Sequence, residues 1–239
     1  MFYKMLAPVY HEIFPVDGKD RFLMRFFSNG DRLLDVGCSD GRVALEMTSD
    51  KYNCTVTGID LSDDLLSIAN QLASNKSNLN FIKLDMLNVN DHFEKSSFDG
   101  VYCIGNTLVH LLKESEIEMT LKGFWNILKP NGKIVVQILN YDMIMNEKLK
   151  QLPLIENEVV KFERHYHYEA AHIRFEATLT DKTSQTKPVT SDTKLYPLRK
   201  SVLFELLTHI GYKDVQFYSG FNGEAYDSSK LPLIVSARK

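Results

Sequence analysis

The chain has 239 residues, 44% of them hydrophobic and 25% charged, with a formal net charge of −3. That is enough for one sizeable core with at most a small appended lobe, and the absence of long single-sign charge blocks speaks against a nucleic-acid surface. Cys38, Cys54 and Cys103 lack metal-ligand spacing, no apolar run reaches bilayer-spanning length, and MFYKMLAPVYHEIFP does not read as a signal peptide, so a cytoplasmic protein without a membrane partner is expected.

In chain order, residues 1–30 read as a helical cap. RLLDVGCSDGRVALEM (32–47) follows, with Leu33, Leu34 and Val36 forming a strand buried on both faces. Gly37 and Gly41 allow a sharp turn and close approach of a ligand, and Val43, Ala44 and Met47 share one face of the next helix. TVTGID (55–60) is a second strand. Ser62 then caps a helix with Asp63 and Asp64 in its first turn and Leu65, Ile68, Ala69 and Leu72 at helical spacing. NFIKLD (80–85) and FDGVYCIG (98–105) are further strands. Ile117, Leu121, Phe124, Trp125 and Leu128 line one helical face, Pro130, Asn131 and Gly132 end that helix, and KIVVQIL (133–139) is the next strand. Strands alternating with helices predict right-handed crossovers and a parallel sheet covered on both sides.

After residue 140 the periodicity shifts. Residues 158–197 read as antiparallel strands inserted into the main fold, followed by a helix at 200–209 and the strands KDVQFY and LPLIVSA. The whole of 1–239 is therefore read as one domain. It has a cap (1–30), a ligand-binding core (31–140), an inserted β lid (158–197) and a C-terminal helix with the last two strands (198–239). The predicted fold class is α/β, a doubly wound, mostly parallel seven-stranded sheet with the antiparallel insert as lid.

In such a sheet, ligands bind beyond the carboxyl ends of the strands. Asp35, Asp60, Asp85 and Asn106 all fall at strand ends, and three acids in succession argue for a site rather than for incidental surface charge. Asp60 stands about twenty residues after the glycine turn, where an acid accepts ribose hydroxyls. Asp85 is positioned to accept from an exocyclic amine. A nicotinamide dinucleotide fits less well: the turn GCSDG lacks the second glycine of the dinucleotide fingerprint, and Asp35 would repel a pyrophosphate. An adenosine bearing a positive group fits better.

In this order, LLDVGCSDGRVAL, GIDLS, FIKLDM, FDGVYCIGN and LKPNGKIVV resemble the successive motifs of class I S-adenosylmethionine-dependent methyltransferases, with a Rossmann-like core. The resemblance assigns Asp35, Gly37, Cys38, Ser39 and Gly41 to the methionine part of S-adenosylmethionine, with Ile104 beside them. It assigns Asp60 and Leu61 to the ribose, and Asp85 with Met86 to the adenine. Ser39 departs from the family, which has glycine there, and this predicts altered rather than lost cofactor affinity. YKMLAPVYHEIF resembles the N-terminal segment of small-molecule methyltransferases, which implies that Tyr3 and Tyr10 close over the methionine end. GNTLVHL (105–111) resembles the glycine N-methyltransferase group, which implies Asn106 as a substrate amide and His110 as a polar wall or base.

The acceptor expected from these features is a small molecule methylated at nitrogen. Methylation at oxygen and a non-catalytic cofactor-binding partner are the alternatives; no nucleic-acid partner is expected, and a homodimer is an allowed arrangement. The segment after the fourth strand lacks the N/D-P-P-Y and Pro-Cys signatures of DNA methylation, and Cys103 reads as a small buried residue. RHYHYEAAHI invites a metal reading, but no acid or cysteine completes a set, so no metal is expected. Arg164, Tyr166 and Tyr168 share a strand face and are expected to cover the site.

Overall fold

The computed structural model describes residues 2–184 and 186–239; Gln185, inside the expected insert, lies outside the described residues. The cap comprises the short helices α1 (Phe2–Leu6), α2 (Tyr10–Ile13) and α3 (Lys19–Leu23). The main sheet then begins with β1 (Arg32–Val36), α4 (Arg42–Met47), β2 (Thr55–Asp60), α5 (Asp63–Ala73), β3 (Leu79–Lys83), α6 (Val89–His92), β4 (Phe98–Cys103) and α7 (Glu114–Ile127). It continues through β5 (Leu128–Leu139) and α8 (Tyr141–Asn146) into the insert, β6 (Ile155–Glu156), β7 (Val160–Tyr168), β8 (Ile173–Asp181) and β9 (Val189–Leu195). It closes with α9 (Lys200–Ile210), β10 (Lys213–Tyr218) and β11 (Pro232–Arg238).

The seven-stranded sheet has the order β10-β11-β5-β4-β1-β2-β3. Pairings among β1 to β5 are parallel and β11 runs antiparallel to both its neighbours. The strand order reverses beside β1, which pairs with β2 on one side and β4 on the other. The carboxyl ends of these strands splay there and leave a crevice. Leu33, Leu34, Asp35 and Val36 are all buried, as a strand covered on both faces requires. Two apolar clusters occupy the two faces, one around Leu34, Val101 and Phe124, the other around Leu33, Met47 and Phe81.

Local signals account for most boundaries. The Ser62 hydroxyl accepts the Leu65 N–H at 3.4 Å and starts α5, whose Leu65, Leu66 and Ala69 are buried. α7 ends at Ile127, earlier than the Pro130–Gly132 turn suggests, because β5 already begins at Leu128 and carries the turn within it as a register shift against β4.

The insert is a separate antiparallel sheet of order β6-β7-β8-β9. It packs against the cap through a third small core of Leu6, Ile13, Val160, Phe162, Ala177 and Leu179. Cap and insert thus form one cover over the crevice, tied further by the Asn157 side-chain amide donating to the Glu12 carbonyl at 3.1 Å. Among the described residues, no helix is long and apolar enough to cross a membrane.

Candidate active site

The turn after β1 is held by the neighbouring strand: the Gly37 and Cys38 N–H groups both donate to the Ile59 carbonyl, at 2.8 and 3.0 Å. Gly37 (φ +73°), Ser39 (φ +53°) and Gly41 (φ +78°) are left-handed. At Ser39 this conformation is unfavourable for a residue with a Cβ, and three contacts hold it. Its N–H donates to Asp60 Oδ2 at 2.9 Å, and its hydroxyl lies 2.9 Å from the Tyr10 hydroxyl and 3.3 Å from the Gly37 carbonyl. Asp60 Oδ1 accepts the Ser62 N–H at 2.9 Å. Burial raises the Asp60 carboxyl above its ordinary range, while the N–H groups of Ser62, Ser39 and Leu61 act in the opposite sense.

Two connected chambers open beyond these strand ends. The first, about 590 Å³, is lined by Asp60, Leu61, Ser62, Leu84 and Met86 from the sheet side. Tyr3, Lys4 and Tyr10 of the cap and Asp192 and Thr193 of β9 close it. The second, about 280 Å³, runs from Asp35, Cys38 and Ile104 toward Asn106, Leu139, Leu152, Phe162, Arg164 and Leu195. Tyr3, Tyr10, Gly37, Ser39, Gly105 and His110 border both chambers and mark their junction.

At that junction the Tyr3 hydroxyl and His110 Nε2 lie 2.7 Å apart, so the cap is fastened to the segment after β4. Burial lowers the imidazole to about 4, so His110 is neutral near pH 7. Burial also keeps Tyr3 protonated by raising its phenol well above the ordinary range. Asn106 is left-handed (φ +66°) and its amide is engaged: Oδ1 accepts the Leu139 N–H at 2.9 Å and Nδ2 donates to the Tyr141 hydroxyl at 3.1 Å. It braces the end of β4 against the end of β5 while its side chain borders the second chamber.

Several expectations need adjustment. Gly41 does not border either chamber. A Cβ there would lie 2.4 Å from Phe81 Cζ and 2.9 Å from Ala69 Cβ, so this glycine serves helix–sheet packing. Asp85 Oδ1 accepts the Leu87 N–H at 3.0 Å and caps a 3₁₀ turn, while its neighbours Leu84 and Met86 line the first chamber. Of the expected aromatic cover, Tyr168 is directed elsewhere, its hydroxyl donating to the Ile144 and Leu149 carbonyls, and Tyr166 is buried behind the chamber wall. Arg164 of that strand face does reach the second chamber. Among the described residues, no group of three or more metal-ligating side chains comes together; His167 lies 3.5 Å from Glu176.

Sequence reading missed Lys4, Asp192, Thr193, Leu139, Leu152, Phe162 and Leu195. They come from five separate stretches and share no local pattern. Gly105 was within reach: it follows a buried strand, and a Cβ there would meet nothing within 4 Å at φ +81°.

The crevice suits an adenosine carrying a positive charge. Gly105 leaves open space where the chambers join, and Asp35 is a carboxyl pushed up to about 8 by burial, with no cation paired to it among the described residues. A cationic ligand group beside Asp35 restores its ionised form. The sheet order with a single reversed strand, the glycine turn after β1 and the acid ending β2 define a class I methyltransferase fold. Residues 33–132 match the family described as "Methyltransferase domain". The chain is 28% identical over 211 residues to a glycine/sarcosine N-methyltransferase of Aphanothece halophytica, covering 87% of this chain and 76% of that protein. It superposes on an S-adenosylmethionine-dependent methyltransferase from Clostridium acetobutylicum with a TM-score of 0.79 at 14% identity, covering 99% and 97% of the two chains. For the CcbJ methyltransferase from Streptomyces caelestis the TM-score is 0.81 at 18% identity, covering 98% and 95%. These likenesses support a class I S-adenosylmethionine-dependent methyltransferase.

Proposed function

We propose that this enzyme methylates a small molecule at nitrogen, binding the cofactor in the first chamber and the glycine-turn end of the second, and the acceptor in the remainder of the second. When bound, S-adenosylmethionine supplies a methyl group on a sulfonium. In this reading Asp60 accepts the ribose hydroxyls, Leu84 and Met86 sandwich the adenine beside Asp85, and Asp35 faces the ammonium of the methionine part. Gly37, Cys38, Ser39, Gly105 and Ile104 line its path, and Tyr3 and Tyr10 cover it.

The observation that carries the proposal is the junction. Tyr3 and His110 stand where the two chambers meet, under a cover made by cap and insert. In-line transfer needs close, aligned approach with water excluded, and this cover provides both. Nitrogen is favoured over oxygen by the groups at hand. A neutral imidazole titrating near 4 is a weak base, and the chamber's carboxylates lie at the glycine-turn end, where Asp40 pairs with Arg42. An amine can lose its proton to water before the cover closes, whereas an alcohol needs a stronger base at hand. His110 and Asn106 therefore act by positioning. Glycine and sarcosine methylation by the Aphanothece halophytica relative supports an amine acceptor. The net charge of −3 and three buried free thiols support a reducing, cytoplasmic setting and no nucleic-acid partner.

Incubation with methyl-labelled S-adenosylmethionine and matched panels of amines and alcohols tests this reading. Label recovered as N-methyl product is expected. Label found on oxygen overturns the choice of nitrogen, and no transfer to either panel overturns the small-molecule assignment.

A further inference from the structure

The acceptor end of the second chamber contains a cation for which no counter-charge is found among the described residues. Arg164 lies on the inward face of β7, two residues from Phe162, with its guanidinium carbon 5.4 Å from the Phe162 ring centroid. Its Nη2 donates to the Pro153 carbonyl, but its Nε is buried without a hydrogen-bond partner. Among the described residues, no carboxylate lies within ion-pairing distance. The other cations of this chamber stand toward the glycine turn: Arg42 is held by Asp40 at 3.2 Å, and Lys19 donates to the Pro15 carbonyl. Opposite Arg164 across the strand pair is Ala177, fully buried and too small to cover the guanidinium. A partly desolvated guanidinium without a carboxylate is unfavourable until an anion completes it, and its planar fork matches a carboxylate through two parallel N–H···O bonds.

Apart from the amides of Asn106 and Gln137, the walls around Arg164 are apolar, with Leu6, Leu139, Leu152, Phe175 and Leu195 lining the same chamber. Resting on the proposed amine acceptor, we infer that the acceptor is an amino acid with an apolar side chain, its carboxylate received by Arg164 and its side chain by these residues. Glycine and sarcosine present no apolar body to such walls. A bulkier acceptor gains burial of apolar surface there.

Calorimetry with the full-length protein saturated with S-adenosylhomocysteine tests this, using phenylalanine, leucine and glycine beside the decarboxylated amines phenethylamine and isopentylamine. Phenylalanine or leucine is expected to bind at least tenfold more tightly than its decarboxylated counterpart and than glycine. In Arg164→Met the advantage of the carboxylate should vanish while S-adenosylhomocysteine affinity is retained, and Arg164→Lys should keep part of it. Equal binding of acid and amine, tightest binding of glycine, or absence of binding by all five overturns the inference even where the cofactor product binds and methyl transfer to other amines proceeds. A carboxylate advantage that survives in Arg164→Met also overturns it. Should either variant fail to fold, the wild-type comparison of acid with amine still decides. Failure of the parent reading is seen separately, as no cofactor binding or as methyl transfer to oxygen.

Discussion

The two chambers are built by different means. The first is walled mainly by strand ends of one parallel sheet, where Val36, Ile59, Asp60, Leu84 and Met86 arrive through short local motifs. The second is walled by the cap, by the ends of β4 and β5, and by the insert, which bring together Leu6, Asn106, Leu139, Arg164 and Leu195. On the proposed reading, the difference puts acceptor specificity in the second chamber. A site at strand ends is positioned by backbone hydrogen bonding that serves any acceptor, whereas a site between added elements can change without disturbing the sheet.

The largest effect is expected where a glycine serves the sheet itself. Gly41→Val forces a branched side chain to φ +78° and into Phe81. Strain and overpacking together should cost about 3 kcal/mol or more, seen as a large drop in Tm or loss of folded protein. Gly105→Ala sharpens the contrast. It meets no neighbour, so stability should fall by only about 1 kcal/mol, while S-adenosylmethionine affinity falls strongly in calorimetry because the methyl enters the space between the chambers. Equal effects on stability would remove the distinction between a packing glycine and a ligand-facing one.

Next in size, Asp60→Ala should weaken S-adenosylmethionine binding by about 1.5–3 kcal/mol, the worth of charge-assisted hydrogen bonds. Methyl transfer at saturating cofactor should recover much of the wild-type rate. Unchanged affinity would move the ribose from the end of β2.

His110 lies at the boundary, and its prediction is one of pH. Its folded pKa, about 4, lies below the ordinary 6.5, so the neutral form is favoured in the fold. The stability this provides is complete above about pH 6.5 and is lost progressively as pH falls toward 4. His110→Gln should therefore flatten the Tm-against-pH curve across that acid window. Its methyl-transfer rate should fall with the shape of the profile near neutral pH retained, because no imidazole titrates there. A wild-type activity limb near pH 6.5 that disappears in this variant would make His110 a base instead of a positioning residue.

The smallest effect belongs to the contact that joins cap to core. Ser39→Gly relieves a left-handed serine but removes the hydroxyl beside Tyr10, two opposing terms of about 1 kcal/mol each. Stability should change by less than about 1 kcal/mol and cofactor affinity by less than tenfold, while amide exchange in residues 2–14 should quicken. Unaltered exchange there would show that Tyr10 is held by Phe14 and the insert alone.

The sequence by itself was sufficient for the sheet, the crevice and the cofactor. Leu33 to Val36 had to be buried on both faces, Ser62 had to start a helix, and Asp60 had to end its strand beside the glycine turn, because strand period, capping and crossover handedness act over a few residues. Tertiary structure alone decided which side of the turn each glycine faces: Gly41 and Gly105 share a backbone conformation, and only Phe81 and the open chamber tell them apart. It also decided that Arg164 reaches the second chamber while Tyr168, on the same strand face, binds the carbonyls around α8. Alternation along a strand assigns a face, but what that face meets depends on elements far away in the chain. For this insert those are the cap, the segment at Leu152 and Pro153, and α8, positioned by packing that no local pattern encodes.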